Sequence, residues 1–183
     1  MFNECSGLEK VKFGVFIGGT LTNMSSMFKY CGNLKQLDLK NFNTQSVTNM
    51  SYTFGDCYSL TELDLSHFDT SLVTNMNGMF SGCRNLVNLD LSHLNTVNVT
   101  DMSYMFNGCS KLGSLNLLSF NTQNVTDMKC MFSNCCSLTD LKFSNNFNVQ
   151  NVRNMQAMFH HCPSLALLEL SGFSTQNVTD MSA

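Results

Sequence analysis

Residues 42–67 read FNTQSVTNMSYTFGDCYSLTELDLSH, and the same phrase returns along the chain. It recurs as FDTSLVTNMNGMFSGCRNLVNLDLSH (68–93), LNTVNVTDMSYMFNGCSKLGSLNLLS (94–119), FNTQNVTDMKCMFSNCCSLTDLKFSN (120–145) and FNVQNVRNMQAMFHHCPSLALLELSG (147–172). Met24, Met50, Met76, Met102, Met128, Met155 and Met181 keep the phase, stepping by 26 with a single step of 27 after Met128. The extra residue falls in Ser144-Asn145-Asn146, between the halves of a repeat, where a loop absorbs it. The opening segment is in register too: Met1, Phe2, Cys5, Leu8, Val11, Phe13 and Phe16 match Met27, Phe28, Cys31, Leu34, Leu37, Leu39 and Phe42. A period of this length is the signature of a solenoid, in which one unit cannot bury its apolar face without its neighbours.

Within a unit the apolar spacing changes. From Met102 the residues Met105, Phe106 and Cys109 lie three, four and seven positions on, which predicts one face of a helix of about two turns, in part 3₁₀. Asn or Asp precedes that segment in every copy (Asn23, Asn49, Asn75, Asp101, Asp127, Asn154, Asp180), as an N-cap would. Leu112, Leu115 and Leu117 then follow as L-x-x-L-x-L, whose last residues alternate like a half-buried strand. One strand per circuit predicts seven, over 8–13, 34–39, 60–65, 86–91, 112–117, 138–143 and 165–170. They are parallel because each is reached by a full circuit in the same sense. Val-Thr-Asn-Met adds room for a second short strand. The fold expected is therefore an α/β repeat solenoid: seven parallel strands in a ladder, with short helices or 3₁₀ turns on the other side.

The L-x-x-L-x-L pattern followed by a buried Phe, with M-F-x-x-C before it, resembles the leucine-rich repeats. The longer phrase V-T-[ND]-M-x-x-M-F-x-x-C-x-x-L-x-x-L-D-L-S is similar to the BspA-like repeats of bacterial and protist surface proteins. The departures are local: Thr53 stands for the helix Met, Leu94 for the Phe, Phe143 for the last strand Leu and Arg153 for the Thr. The resemblance covers essentially the whole chain and implies a surface-exposed or secreted binding module, often associated with adhesion to host proteins or other cells. It implies no catalytic residue. Residues 1–183 are expected to form a single leucine-rich-repeat solenoid of about seven repeats, uncapped at both ends and so a fragment of a longer protein.

Composition narrows the partners. Ten Lys and Arg against thirteen Asp and Glu give a net charge of −3, no basic excess for gripping phosphate backbones, so nucleic acid is not expected. No apolar run reaches the ~18 residues of a membrane span. Seven of the nine cysteines (Cys5, Cys31, Cys57, Cys83, Cys109, Cys135, Cys162) share one repeat position and read as a column of buried reduced thiols, with disulfides between neighbouring rungs the alternative. Cys130 and Cys136 lie off it, and C-x₄-C-C is unlike common zinc spacings, so no metal or other cofactor is expected. His160-His161 precedes a cysteine needed in the core column and lacks an ordered acid.

The informative rows are the outward strand positions, which the repeat does not dictate. Between the last two leucines stand Lys12, Asp38, Asp64, Asp90, Asn116, Lys142 and Glu169; two places earlier stand Lys10, Gln36, Glu62, Asn88, Ser114, Asp140 and Leu167. Gln36, Asp38, Glu62, Asp64, Asn88 and Asp90 form a candidate concave acidic strip for a basic partner surface or a cation. Neither row carries an aromatic residue or Arg, the usual anchors of a protein-reading surface. Two functions follow: a protein-binding module, with host or extracellular-matrix proteins as partners at the cell surface or outside it, or a structural spacer with no ligand of its own.

Overall fold

The computed structural model describes residues 1–14 and 21–183; Phe16, the last match of the opening segment, lies outside the described residues. The chain winds as a right-in-register stack in which each repeat position lies over the same position 26 residues away. Phe28, Phe54, Phe80, Phe106 and Phe132 are all fully buried. With Phe2 and Phe159 they form one column of nearly parallel rings, with centroids 5.4–5.9 Å apart. Met, Cys, Leu and Val columns line the same core. Stacking identical side chains in this way satisfies the packing of every rung by its neighbours.

The predicted helix does not form. Among the described residues there is no α-helix, and the Met-to-Cys segment is a run of tight turns. Met27 N–H donates to Met24 O, and Cys31 N–H to Phe28 O, as in 3₁₀ geometry. Alternate N–H groups instead leave the rung: those of Met24, Ser26, Phe28 and Tyr30 donate to the carbonyls of Asn49, Ser51, Thr53 and Gly55 at 2.8–2.9 Å. The same four bonds recur at each later junction up to Asn134 and His160. Turning alternate peptides outward requires positive φ at two positions per rung, such as Ser26 (55°) and Tyr30 (62°), or Gly78 (57°) and Gly82 (75°). The helical spacing of apolar residues survives because both conformations put positions 0, 3, 4 and 7 on one side.

The capping residues keep their chemistry without a helix. Asn23, Asn49, Asn75, Asp101, Asp127, Asn154 and Asp180 each accept, through Oδ1, the N–H two residues on. The same residues are joined rung to rung by single parallel bridges, the reduced form of the second strand expected at Val-Thr-Asn-Met.

Nor is there a seven-strand ladder among the described residues. Four short strands are present there: β1 (Lys10–Lys12), β2 (Gln36–Asp38), β3 (Ser114–Leu117) and β4 (Asp140–Phe143). They pair parallel, β1 with β2 and β3 with β4, with outward partners Lys12↔Asp38 and Asn116↔Lys142. Between them, the 60–65 and 86–91 segments face the core through Leu60, Leu63, Leu65, Leu86 and Leu91 but form no ladder. There Asp38, Asp64 and Asp90 follow one another at a single repeat position, and directly opposed like charges oppose strand pairing. The 165–170 segment is also unladdered, and nothing in its side chains explains this.

The repeat of 27 residues is absorbed where expected. In regular repeats the buried Phe or Leu after the strand donates its N–H to the last strand residue, as Phe68 does to Leu65; Phe147 donates instead to Ser144, one residue past the strand end at Phe143.

Candidate functional site

Polar satisfaction explains the columns that line this stack. Each core cysteine donates its thiol to the carbonyl of the Phe one rung earlier: Cys57 to Phe28, Cys83 to Phe54, Cys109 to Phe80 and Cys135 to Phe106, at 3.1–3.2 Å. All nine cysteines are free. Burial pushes the thiols of Cys57, Cys109 and Cys135 far up and that of Cys83 up to about 12, so they stay protonated donors. Cys5 is exposed and Cys130, Cys136 and Cys162 are half-buried. Thr44, Thr70 and Thr96 form a second buried polar column that sequence reasoning missed. Thr44 Oγ1 donates to Asp69 O at 3.0 Å and accepts Asp69 N–H at 2.8 Å, and Thr70 and Thr96 repeat the arrangement. Thr53, the departure from the helix Met, is buried and donates to Met24 O and Met50 O. These residues hold rungs together and leave no reactive group.

The outward strand rows do come together. A groove of about 660 Å³ crosses four rungs, lined by Gln36, Asp38, Glu62, Asp64, Asn88 and Asp90, all six of the candidate residues. Lys10, Lys12 and Lys35 line its other end, and Val11, Leu37 and Leu63 form its floor. The strip is thus acidic over part of its length only. Lys35 pairs with Glu9 at 3.1 Å and Lys40 approaches Asp38 at 4.0 Å, whereas Lys10, Lys12, Glu62, Asp64 and Asp90 have no ion-pair partner among the described residues.

The aspartates also shape the backbone. Asp64 Oδ1 accepts Ser66 N–H and Asp90 Oδ1 accepts Ser92 N–H, both at 2.9 Å, closing the turn after the strand position. These bonds hold both carboxyls below their ordinary value, helped by His93 near both and by His67 near Asp64. Asn116 makes the same bond to Leu118 N–H at 3.1 Å, so the turn asks for an Oδ1 acceptor and not for a charge.

The anchors absent from the strand rows lie on the turn stack. All four tyrosines of the chain are there, under cations. Lys29 Nζ sits 4.9 Å from the Tyr30 ring and 4.0 Å from that of Tyr52, Arg84 is 4.8 Å from Tyr58 and Lys129 is 6.0 Å from Tyr104. Their signal in the sequence is positional: Tyr30, Tyr52 and Tyr104 occupy outward places of the segment read as helix, and Tyr58 follows its closing cysteine. A further groove of about 600 Å³ opens beside the irregular repeat, lined by Leu118, Phe143, Asn145, Phe147, Glu169 and Phe173 among others. His160 and His161 are exposed, with ring centroids 6.2 Å apart. No cluster of three metal-ligating side chains exists among the described residues, and no helix there is long and apolar enough to cross a membrane.

Stacked 26-residue circuits with L-x-x-L-x-L turned toward a common core define a leucine-rich-repeat fold. It is similar to that of the T. pallidum leucine-rich repeat protein TpLRR, with a TM-score of 0.59 at 22% identity, over 90% of this chain and 68% of that one. It is similar also to a leucine-rich repeat protein from Eubacterium ventriosum, with a TM-score of 0.52 at 17% identity, over 93% of this chain and 43% of that one. The chain therefore spans less than half of the second protein, and at these identities the likeness is one of fold. Within that class, the chain belongs to the family described as "Mycoplasma protein of unknown function, DUF285", whose profile matches residues 1–115, 60–162 and 84–183. No curated protein matches the sequence.

Proposed function

We propose that the chain is a protein-binding module of the BspA-like type, displayed on a cell surface or secreted, and that it serves adhesion to host or neighbouring-cell proteins. The observation that carries this reading is the strand-face groove. Its polar lining comes from outward strand positions, several of which differ from rung to rung, and its volume of about 660 Å³ lies within the range of ligand-binding clefts. Gln36, Asp38, Glu62, Asp64, Asn88 and Asp90 are the proposed contacts. The role is recognition without catalysis.

A spacer reading is favoured by a different observation. The turn stack is bonded at every junction, which makes a stiff rod, and the groove rows lack outward aromatic residues. The two separate in one experiment: surface binding of the folded chain to a panel of extracellular-matrix and plasma proteins, beside an Asp64→Asn/Asp90→Asn variant. Recognition through the groove gives saturable binding that the variant weakens. Absence of binding by folded protein supports the spacer.

A further inference from the structure

The groove is electrically divided, and we infer that it selects an extended peptide segment of its partner that carries an acidic residue at one end and a basic residue about four or five positions away. This rests on the protein-binding reading. At one end Lys10 and Lys12 belong to β1, point outward and are exposed. At the other, Glu62, Asp64 and Asp90 are exposed on two successive rungs where no strand ladder forms. Between them lie Lys35, paired with Glu9, and Asp38, approached by Lys40 and standing opposite Lys12 across the β1–β2 pair, so the charges without an ion-pair contact lie toward the two ends.

Geometry sets the spacing. From the β1 rung to the Asp90 rung is three steps of about 4.8 Å, about 14 Å in all. An extended peptide covers that in four or five residues at about 3.3 Å each. A floor of buried Val11 and Leu63 and half-buried Leu37 between the charged ends accepts small apolar or neutral side chains. A uniformly basic partner surface would meet Lys10 and Lys12 and be repelled there; a bipolar segment is complementary along the whole groove. Complementarity of this kind also fixes which way round the segment lies.

The test is selection of a random nine-residue peptide library, displayed on phage, against the folded chain. Selected peptides are expected to carry opposite charges four or five positions apart in one preferred order. Two neutralised proteins divide the contributions. Glu62→Gln/Asp64→Asn/Asp90→Asn should abolish enrichment of the basic residue and spare the acidic one, and Lys10→Gln/Lys12→Gln should do the reverse. Asn at 64 and 90 keeps the turn acceptor, as Asn116 does, so the fold is preserved. A selected peptide should bind each variant about tenfold more weakly, as for two or three exposed ion pairs lost together. Enriched peptides with no charge spacing, or with spacing that neither variant alters, would overturn the bipolar groove and leave protein binding standing. No enrichment over an unrelated bait would sink both.

Discussion

Along the turn stack each rung from Met24 to Asn134 donates four backbone hydrogen bonds to the next, while along the strand face the ladder is made at β1–β2 and β3–β4 and is missing over 60–65 and 86–91. Both faces are read from the same repeat, so the difference lies in what projects outward. On the turn stack most outward residues are Tyr with Lys or Arg, Asn, Ser and Gly, although Asp101 lies over Asp127 and still bridges it. On the strand face Asp38, Asp64 and Asp90 follow one another, and the ladder is missing at the last two. Cohesion thus differs between two faces built from one repeat, and the face where it is weaker is the one that carries the groove.

The largest contrast should come from the core beneath the turns. Phe80→Ala removes a fully buried ring stacked on both sides, 5.8 Å from Phe54 and 5.7 Å from Phe106, and should cost about 3–5 kcal/mol in urea unfolding. Leu63→Ala, under the unladdered strand face and 8% exposed, should cost less, about 2 kcal/mol. Equal losses would mean that the two faces are equally tight.

Alkaline pH should act next and through the turn side alone. The folded thiol of Cys83 ionises only near 12 against an ordinary 9.0, and those of Cys57, Cys109 and Cys135 are raised by the same burial. A raised folded value means stability complete below pH 9 and lost as pH rises above it, because only the unfolded chain releases protons. One unit above 9 the loss is about 1.4 kcal/mol per buried thiol. Thermal melts between pH 7 and 10.5 should fall accordingly, and a Cys83→Ser variant should show a smaller fall.

A smaller effect separates charge from turn on the strand face. Asp64→Ala leaves Ser66 N–H without its acceptor and should cost about 1 kcal/mol, while Asp64→Asn should be neutral or slightly stabilising. If Asn is as costly as Ala, the carboxylate charge itself holds the turn. Smallest of all should be Gly108→Asn. The site has a positive φ of 75°, an added Cβ would make only ordinary contact with the Gly82 backbone at 3.6 Å, and Asn134 occupies the equivalent place at 60°, so the change in stability should stay within about 0.5 kcal/mol. A large loss would show that glycine, and not the stacking, imposes the left-handed turn.

Much of this was readable in advance at the level of columns. The phase of the methionines puts the Phe, Cys and Leu columns in place, and the outward rows name six residues that line one groove. The Met-Met-Phe-Cys spacing was misread as a helix for a definite reason. Periodicity reports which side chains face inward, and a helix and a stacked turn with alternating peptide directions give the same answer. The tyrosine–cation pairs carry no signal of their own in the periodicity, because an outward place looks the same on a helix and on a stacked turn. Thr44 and its counterparts looked like loop residues because a buried hydroxyl needs partners one rung away.

Repetition in the chain accounts for register, for the parallel sense of the circuits and for the composition of the core, because these depend on which residue type recurs every 26 positions. How each backbone N–H finds its carbonyl does not depend on that alone. Those partners are 25 or 26 residues apart, and whether the bond closes turns on the side chains that meet when two rungs stack. The same holds for the groove: Lys10, Lys12, Glu62, Asp64 and Asp90 are scattered over eighty residues, and only the stacking of four rungs makes them the two ends of one surface.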